Sequence, residues 1–433
     1  MEGAGKRAPK AIVVGGSIAG LSCAHALIGA GWDVTVIEKT MSAPTGSPSG
    51  AGLSLEPQAI EVVNRWLGDP SILQDIAFSV ATVVHQTYDK EKKAIQMLRR
   101  DSSDDFISHR SVHWTDLHSV IRRALPSDVV LWGHRFLSLR TSDGGGSVRV
   151  ETKNLRTDET VEFEGDLLVA ADGSMSAIRQ HFLPNHKMRY SGYSAWRGVF
   201  DYSDAEKVDA VTGIRRAYPE LGNCLYFDYA DGNHCVFFQI NSDRLNWLWY
   251  FNTPESGREG TSVTKKVDEE MIKEMHEEAR RIWNPELAEL MRQTKAPFIN
   301  LIYDSDPLPR LVWDNVVLVG DAAHPTTPHA SKSTNISGRG RRACRRPWRS
   351  TRRCGSPSCR ASSCRRGRWG GSSRACPSPT ARRSAPTKPP PTSAIGSRSG
   401  PFLRTSPSLL PSDFMCISVL ARLRNFRSFA YEK

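Results

Sequence analysis

The stretch Lys10-Ala-Ile-Val-Val-Gly-Gly-Ser-Ile-Ala-Gly20 constrains this chain more than any other. Ala11 to Val14 is a short β-branched run, the pattern of a parallel strand buried on both faces. Gly15 and Gly16 then turn the chain into a helix expected over 17–30. No proline interrupts that helix, and Gly31 stands where a C-terminal cap belongs. A second strand, Asp33-Val-Thr-Val-Ile-Glu-Lys39, carries Glu38 eighteen residues beyond Gly20. At that spacing a carboxylate meets a ribose hydroxyl while the helix N-terminus holds a pyrophosphate. Ser17 occupies the middle glycine position of the Gly-x-Gly-x-x-Gly pattern. It is small and can donate from its N–H and hydroxyl, so the turn is read as a tolerated variant. A glycine-rich loop of an unrelated α/β domain could share the turn, but not the strand, helix, second strand and acid in register.

Two further strand ends carry the same kind of signal. Asp166-Leu-Leu-Val-Ala-Ala-Asp-Gly173 reads as a buried strand closing on an acid and a glycine, and leads to Ser176-Ala-Ile-Arg179. Leu311–Leu318 and Val319-Gly-Asp-Ala-Ala-His-Pro-Thr-Thr-Pro328 read as a strand ending at Gly320-Asp321, then a proline-stiffened loop. Strand ends of this type at the edge of a doubly wound sheet are where ligands bind, although a helix-capping Asp looks similar. Between these ends, Gly50–Ala59 is expected to open a helix that carries Ile60, Val63 and Trp66 on one face, and a second helix is expected at Thr115–Ala124 with Thr115 as its cap. Strands are expected at 81–88 and 94–98, and antiparallel ones at 129–132, 148–152 and 160–163 around the turn Asp143-Gly-Gly-Gly.

From Tyr190 the texture changes to long alternating strands: 223–229, 234–241 and 246–252, the first two joined by Ala230-Asp-Gly-Asn233. Tyr226, Phe227, Tyr229, Phe237, Phe238, Trp247, Trp249, Tyr250 and Phe251 crowd them. Such a sheet either packs on a helix or roofs a pocket for a flat ring. Lys266–Gln293 reads as one charged amphipathic helix with a solvated face.

The three strand ends, in this order, resemble the single-component flavin aromatic hydroxylases built on the para-hydroxybenzoate hydroxylase fold. The Tyr190–Gly198 stretch with Trp196-Arg197-Gly198 looks nearest the hydroxypyridine and hydroxynicotinate branch. The resemblance covers about residues 9 to 337. It implies an α/β fold: a Rossmann-like FAD-binding domain interleaved with an antiparallel-sheet substrate domain, followed by a disordered C-terminal tail. The division expected is 9–180 for the FAD domain, lending strands around 81–109 to the substrate domain, then 181–300 for the substrate domain. Residues 301–337 return to the FAD domain, and 338–433 form the tail.

By the same resemblance Gly15, Gly16, Ser17, Gly20, Glu38 and Lys39 form the adenosine and pyrophosphate site, with Gly52 beside them. Arg110 reaches the ribityl and phosphate region, and Asp172-Gly173 serves both FAD and NAD(P)H. Asp321 holds a ribityl hydroxyl, Pro328 lies beside the isoalloxazine, and Lys332 and Asn335 stand on its pyrimidine side. Ser333 takes a place where the family carries a glycine.

The implied reaction is hydroxylation of a small aromatic or heteroaromatic ring, with NAD(P)H reducing FAD and molecular oxygen forming a flavin hydroperoxide. Oxygen reacts poorly with closed-shell rings, so a cofactor must carry the electrons while the protein positions and dehydrates. A ring hydroxyl must lose its proton to become nucleophilic, so a base is needed. His324, Tyr193 and His234 are its candidates, and Arg197 favours an anionic substrate.

Composition matters chiefly for the tail. The net charge of +12 hides a division. Residues 1–337 carry 36 Lys+Arg against 44 Asp+Glu, whereas 338–433 carry 22 against 2. Residues 338–400 contain no Asp or Glu and little apolar periodicity, so they cannot build a core. Where the family places a helix under the flavin, this chain has arginines. Read one base later, codons allowed for Gly338–Cys344 include Ala-Glu-Asp-Ala-Ala-Leu, the expected helix. A frameshifted or mis-spliced C-terminus is therefore expected, with a catalytically impaired flavin-binding protein as the alternative to an active enzyme. Sequencing the transcript across the junction checks this, and an in-frame, full-length message would sink it. RNA binding by the arginines lacks a supporting fold, and the tail cysteines include no Cys-x-x-Cys pair, so neither nucleic acid nor metal is expected. Cys23, Cys224 and Cys235 fit reduced thiols. With no apolar signal region in Met1–Lys10 and no eighteen-residue apolar run, a cytoplasmic enzyme without a membrane span is expected.

Overall fold

The computed structural model describes residues 7–44, 51–88, 91, 94–101, 109–142, 146–203, 208–255, 263–265 and 267–328. The turn at Asp143, Lys332, Ser333, Asn335 and the whole of 338–433 lie outside the described residues.

A six-stranded sheet organises the first core. Its order is Val312–Trp313, Val316–Leu318, Leu167–Ala170, Lys10–Val14, Asp33–Glu38 and Val130–Trp132. The first pair is an antiparallel hairpin and every other neighbour pair is parallel. The run Ala11–Val14 is apolar throughout because both sides are covered. Ala11 and Val13 face the helices, with Leu21, Leu117 and Ile121, while Ile12 and Val14 face Leu139, Val148 and Ile178. From Lys10–Val14 the chain first builds Asp33–Glu38 on one side. It returns far later in sequence to add Leu167–Ala170 on the other, which creates a topological switch point.

The helix after the glycine turn spans Ile18–Gly29 and stops at Ala30, with Gly31 in the left-handed region at φ +85. Two expectations needed correction here. Val130–Trp132 is a parallel edge strand of the main sheet, and the antiparallel sheet beside it is His134–Thr141, Val148–Asn154 and Thr160–Gly165. Trp132 and His134 are separated by Gly133 at φ +77, which lets one alternating run change sheets. Thr115 does not cap its helix. That helix spans Trp114–Arg123 and follows directly from the strand His109–His113, so Thr115 is buried inside the first turn.

The second core is built on an eight-stranded sheet. Its order is Thr264–Lys265, Phe298–Asp304, Arg189–Asp201, Arg244–Asn252, Asn233–Asn241, Cys224–Ala230, Thr82–Tyr88 and Ala94–Asp101. The last two strands come from the segment between the first glycine turn and Asp172. The aromatic residues divide between its faces by alternation. Tyr226, Phe237, Trp247 and Trp249 pack with Tyr218, Met275, Trp283 and Leu287 from the helices, while Tyr193, Arg197, Phe238 and Tyr250 fall on the opposite face. The expected single helix over 266–293 is two, Glu269–Ile282 and Pro285–Gln293. Pro285 cannot donate to a continuing helix, and the Asn284 side chain restarts one by accepting from the Leu287 N–H at 2.8 Å.

Under that sheet Asp228 is fully buried. Its carboxylate accepts from Tyr218 and from Tyr88, the latter at 2.9 Å, and Asn284 donates to both tyrosine oxygens. Burial pushes the Asp228 pKa up to about 6, against the stabilising hydrogen bonds. A folded-state pKa above the unfolded one gives stability that is complete in acid and is lost as pH rises through the folded value. Stability should therefore fall by about 2–3 kcal/mol between roughly pH 4 and pH 6 from this group alone. Asp228→Asn is expected to flatten that part of the curve of melting temperature against pH, and an unchanged slope would show that the carboxyl does not titrate there.

Candidate active site

Because four neighbouring strands run parallel, their carboxyl ends share one edge. Asp321, Asp172, Gly15 and Glu38 follow the ends of successive strands there, and at about 4.8 Å per strand the row spans roughly 14 Å. A cleft of about 870 Å³ opens along this edge, lined by Gly15, Gly16, Ser17, Glu38, Lys39, Asp172 and Gly173 together with Trp114, His118 and residues 41–44.

The glycines serve close approach. Gly15 has φ +110, and a Cβ there would stand 2.2 Å from the Ala171 carbonyl oxygen; one on Gly20 would stand 1.8 Å from the Gly15 oxygen. Glu38 accepts from the Gly16 N–H at 2.7 Å and from the Thr40 N–H at 2.9 Å, so both its oxygens are fixed at the cleft. Asp172 accepts from the Ile178 N–H at 3.2 Å, its other oxygen is buried without a hydrogen-bond partner among the described residues, and burial raises its pKa. An unpaired buried acceptor, a helix N-terminus and glycine-lined walls fit a ligand carrying hydroxyls and phosphates.

The neighbouring loop is tied in from two sides. Gly320 comes so close to the first helix that a Cβ on it would stand 2.8 Å from Ala19 Cβ. Arg179, almost wholly buried, donates to the carbonyls of Asp321 (3.2 Å), Ala322 (3.0 Å) and Ser174, and so joins the Gly173 loop to the Gly320 loop. Burial lowers its pKa, and Asp172 and Asp321 oppose that shift.

The FAD binding domain family matches residues 9–339, the span that stops where the arginine-rich segment begins. The chain belongs to that family. Among curated relatives, the aurachin C monooxygenase/isomerase of Stigmatella aurantiaca is 27% identical over 320 residues, covering 73% of this chain and 75% of that protein. The 6-hydroxynicotinate 3-monooxygenase of Pseudomonas fluorescens is 25% identical over 341 residues, covering 76% and 80%. Among solved structures, the 2,6-dihydroxypyridine-3-hydroxylase of Arthrobacter nicotinovorans superposes with a TM-score of 0.61 at 21% identity, covering 75% of this chain and 79% of that one. The protein is an FAD-dependent monooxygenase of the aromatic hydroxylase type, with NAD(P)H as reductant.

The cleft brings Gly15, Gly16, Ser17, Glu38, Lys39, Asp172 and Gly173 together, and Gly20 supports them from beneath. Asp321 stands one strand further along. Two residues sit elsewhere. The Gly52 N–H donates to Asn246 Oδ1 at 2.7 Å, and a Cβ there would meet Asn246 and Phe238, so this glycine lets the substrate sheet dock against the FAD domain. The Arg110 guanidinium donates to the Ala77 carbonyl at 3.0 Å, and Trp114 and His118 from the following helix take the wall of the cleft. A side chain on strand His109–His113 follows the pleat of its own three-stranded sheet, whereas residues one turn apart on the helix share a face. Pro328 is the last described residue, and His324 lies on the loop before it, its N–H donating to the Gly320 carbonyl at 3.0 Å.

Gly52 and Asn246 also show which face of the aromatic sheet looks toward the FAD domain. On that face the His234 ring stacks on Tyr250 with centroids 4.4 Å apart, and Tyr193 meets Tyr250 edge-on at 6.1 Å. Arg197 shares the face, and its Nε is buried without a partner among the described residues. Trp114, His118 and Asn246 carried no sequence signal of their own, and Arg179 only its place after a buried strand. A helical i, i+4 pair at Trp114 and His118 is the one hint a sequence could offer, and it equally describes a core-facing stripe.

Proposed function

We propose that the substrate is a small aromatic or heteroaromatic ring bearing a hydroxyl and an anionic group, bound against the face made by Tyr193, Arg197, His234 and Tyr250. The observation that carries this is the Nε of Arg197, buried without a partner among the described residues, on the sheet face that carries the stacked aromatic rings. A buried guanidinium donor calls for an acceptor, and a planar carboxylate or ring oxygen meets its fork geometry. The name of the 6-hydroxynicotinate 3-monooxygenase, a relative at 25% identity, describes a ring of this class. Bound FAD supplies the electron transfer that couples NAD(P)H oxidation to oxygen.

The chain's own residues then have separate tasks. Arg197 orients the ring and favours its ionised form, and the aromatic wall excludes water. His234 takes the proton from the ring hydroxyl, since imidazole is the side chain best suited to proton transfer near neutral pH. Tyr193 and Tyr250 hold that imidazole and the ring in place; His324, on the loop leaving the main sheet, has no assigned proton. Glu38, Lys39, Asp172, Asp321 and Pro328 are assigned to the cofactor, as are Gly15, Gly16, Ser17 and Gly20. Buried Cys23, Cys224 and Cys235, which form no disulfide among the described residues, fit a reducing, cytoplasmic setting.

The test is NADH or NADPH oxidation by the purified yellow protein against hydroxylated benzoates, nicotinates and their uncharged amides. Acids should stimulate turnover and gain one oxygen atom from labelled dioxygen. Arg197→Met should raise KM for the acids by about a hundredfold, the equivalent of roughly 3 kcal/mol for a lost charged hydrogen bond, and leave the amides unchanged. Equal stimulation by acids and amides would overturn the anionic substrate.

A further inference from the structure

We propose that Asp116 and Arg244 are positioning residues for hydroxylation: their ion pair fixes where the substrate sheet stands over the cofactor cleft. The inference rests on the ring binding against the face of Tyr193, Arg197, His234 and Tyr250, as proposed above. Arg244 opens the strand Arg244–Asn252 and donates from Nη1 to Asp116 Oδ2 at 3.1 Å. Asp116 stands in the first turn of the helix Trp114–Arg123, between Trp114 and His118, which wall the cleft. The pair therefore joins the sheet of the ring site to the helix that borders the cofactor.

Arg244 is braced for this task. Asp201 lies directly across from it on the strand Arg189–Asp201, with Oδ2 3.6 Å from Arg244 Nε. That contact stays within the sheet, whereas the one to Asp116 crosses to the FAD domain. The crossing side chains are only 25% and 30% exposed. His113, buried at the end of the preceding strand, lies within the field of both charges. A partly buried pair is screened less by salt and water than an open one.

Placement gives the pair leverage. Two neutral contacts join the same surfaces, from the Gly52 N–H to Asn246 Oδ1 at 2.7 Å and from Ser111 Oγ to the Gln239 carbonyl at 2.6 Å. Gln239 lies opposite Leu245, so these contacts fall side by side and form a pivot. Arg244, Asn246 and Tyr250 share one face of their strand, with Arg244 about 7 Å to one side of Asn246 and Tyr250 about 14 Å to the other. A sheet turning about the pivot would move the aromatic seat about twice as far as Arg244. The ion pair opposes that turn.

The test uses the full-length protein loaded with FAD, and the hydroxylated benzoates, nicotinates and amides named above as ring probes. A misplacement of about 1 Å at the reacting atoms costs about a hundredfold in rate, so Asp116→Asn and Arg244→Met should each lower product formed per NAD(P)H by at least about tenfold. Hydrogen peroxide, the two-electron reduction product of dioxygen, should take up the balance. KM for the ring should hold, because the seat itself is untouched. Arg244→Lys should recover most of the yield, and the double variant should do no worse than either single one. Without any ring present, amide exchange over 114–123 should quicken by about tenfold in both single variants and no further in the double. Should Arg244→Met not fold, Asp116→Asn and Arg244→Lys carry the test. Unchanged product yield in the single variants, or effects that simply add, overturn the proposal. If the unaltered protein hydroxylates none of the rings, the substrate reading fails instead, and unchanged exchange in the helix would then overturn the pairing on its own.

Discussion

Gly20→Ala is expected to yield a protein that no longer retains FAD. The added Cβ would lie 1.8 Å from the Gly15 oxygen, 3.0 Å from the Gly15 carbonyl carbon and 3.3 Å from Val13 Cγ1. The first of these contacts is with backbone that cannot yield. Gly15 is held at φ +110, and its N–H donates to the Ile37 carbonyl at 2.9 Å. The helix must therefore withdraw from the strand, carrying with it the N–H groups proposed to hold the pyrophosphate. Overpacking of this kind costs about 3 kcal/mol. The same displacement charged to binding would weaken FAD by about a hundredfold. Gly29→Ala in the same helix meets nothing within 4 Å and should be neutral or slightly stabilising. Flavin content after purification and the urea midpoint check both variants. A Gly20→Ala protein with full flavin content would mean that the helix does not bear on the turn.

Arg179→Met is the second substitution with a large expected effect. One guanidinium donates to three backbone carbonyls on two separate loops, and two carboxylates flank it. Methionine keeps much of the length and none of the donors, so the carbonyls of Ser174, Asp321 and Ala322 lose a partner inside the protein. At about 1–3 kcal/mol for a buried acceptor left alone, a loss of roughly 3–5 kcal/mol follows, allowing for partial rehydration. The Gly320 loop should loosen first, because its tie to Arg179 spans from another strand, so FAD dissociation should accelerate before global unfolding does. Arg179→Lys should recover part of both. Stopped-flow release of flavin and urea unfolding with and without FAD measure the two effects. A Met variant with wild-type stability and flavin release would show that the loops stand without this tie.

The two substitutions differ in how much of their basis a sequence displays. Gly20 announces itself through its spacing from Gly15 and Glu38, because a tight turn, a helix start and a ribose acid are all local in chain distance. Arg179 was visible only as a residue after a buried strand. Two of its three acceptors lie 142 and 143 residues away, in the turn after a strand that becomes a neighbour only through the sheet order. Arg110 and Trp114 make the same point in reverse. Both precede the apolar face of Leu117 and Ile121, and only the pleat of the strand and the start of the helix decide which one reaches the cleft.

The aromatic strands were ambiguous for a physical reason. Period-two alternation tells which residues share a face and cannot tell what covers it. The structure gives one face to the helices through Trp247, Trp249 and Trp283, and the other to the FAD domain through Gly52 and Asn246.

By itself the sequence determined the glycine turn and the acid-bearing strand ends, because backbone geometry at glycine and the placement of an acid are short-range constraints written in consecutive residues. Only the tertiary structure decided which side chains wall the cleft, which arginine ties its loops and which aromatic face meets the FAD domain. Those depend on strand order and docking between segments more than a hundred residues apart, and no local propensity encodes them.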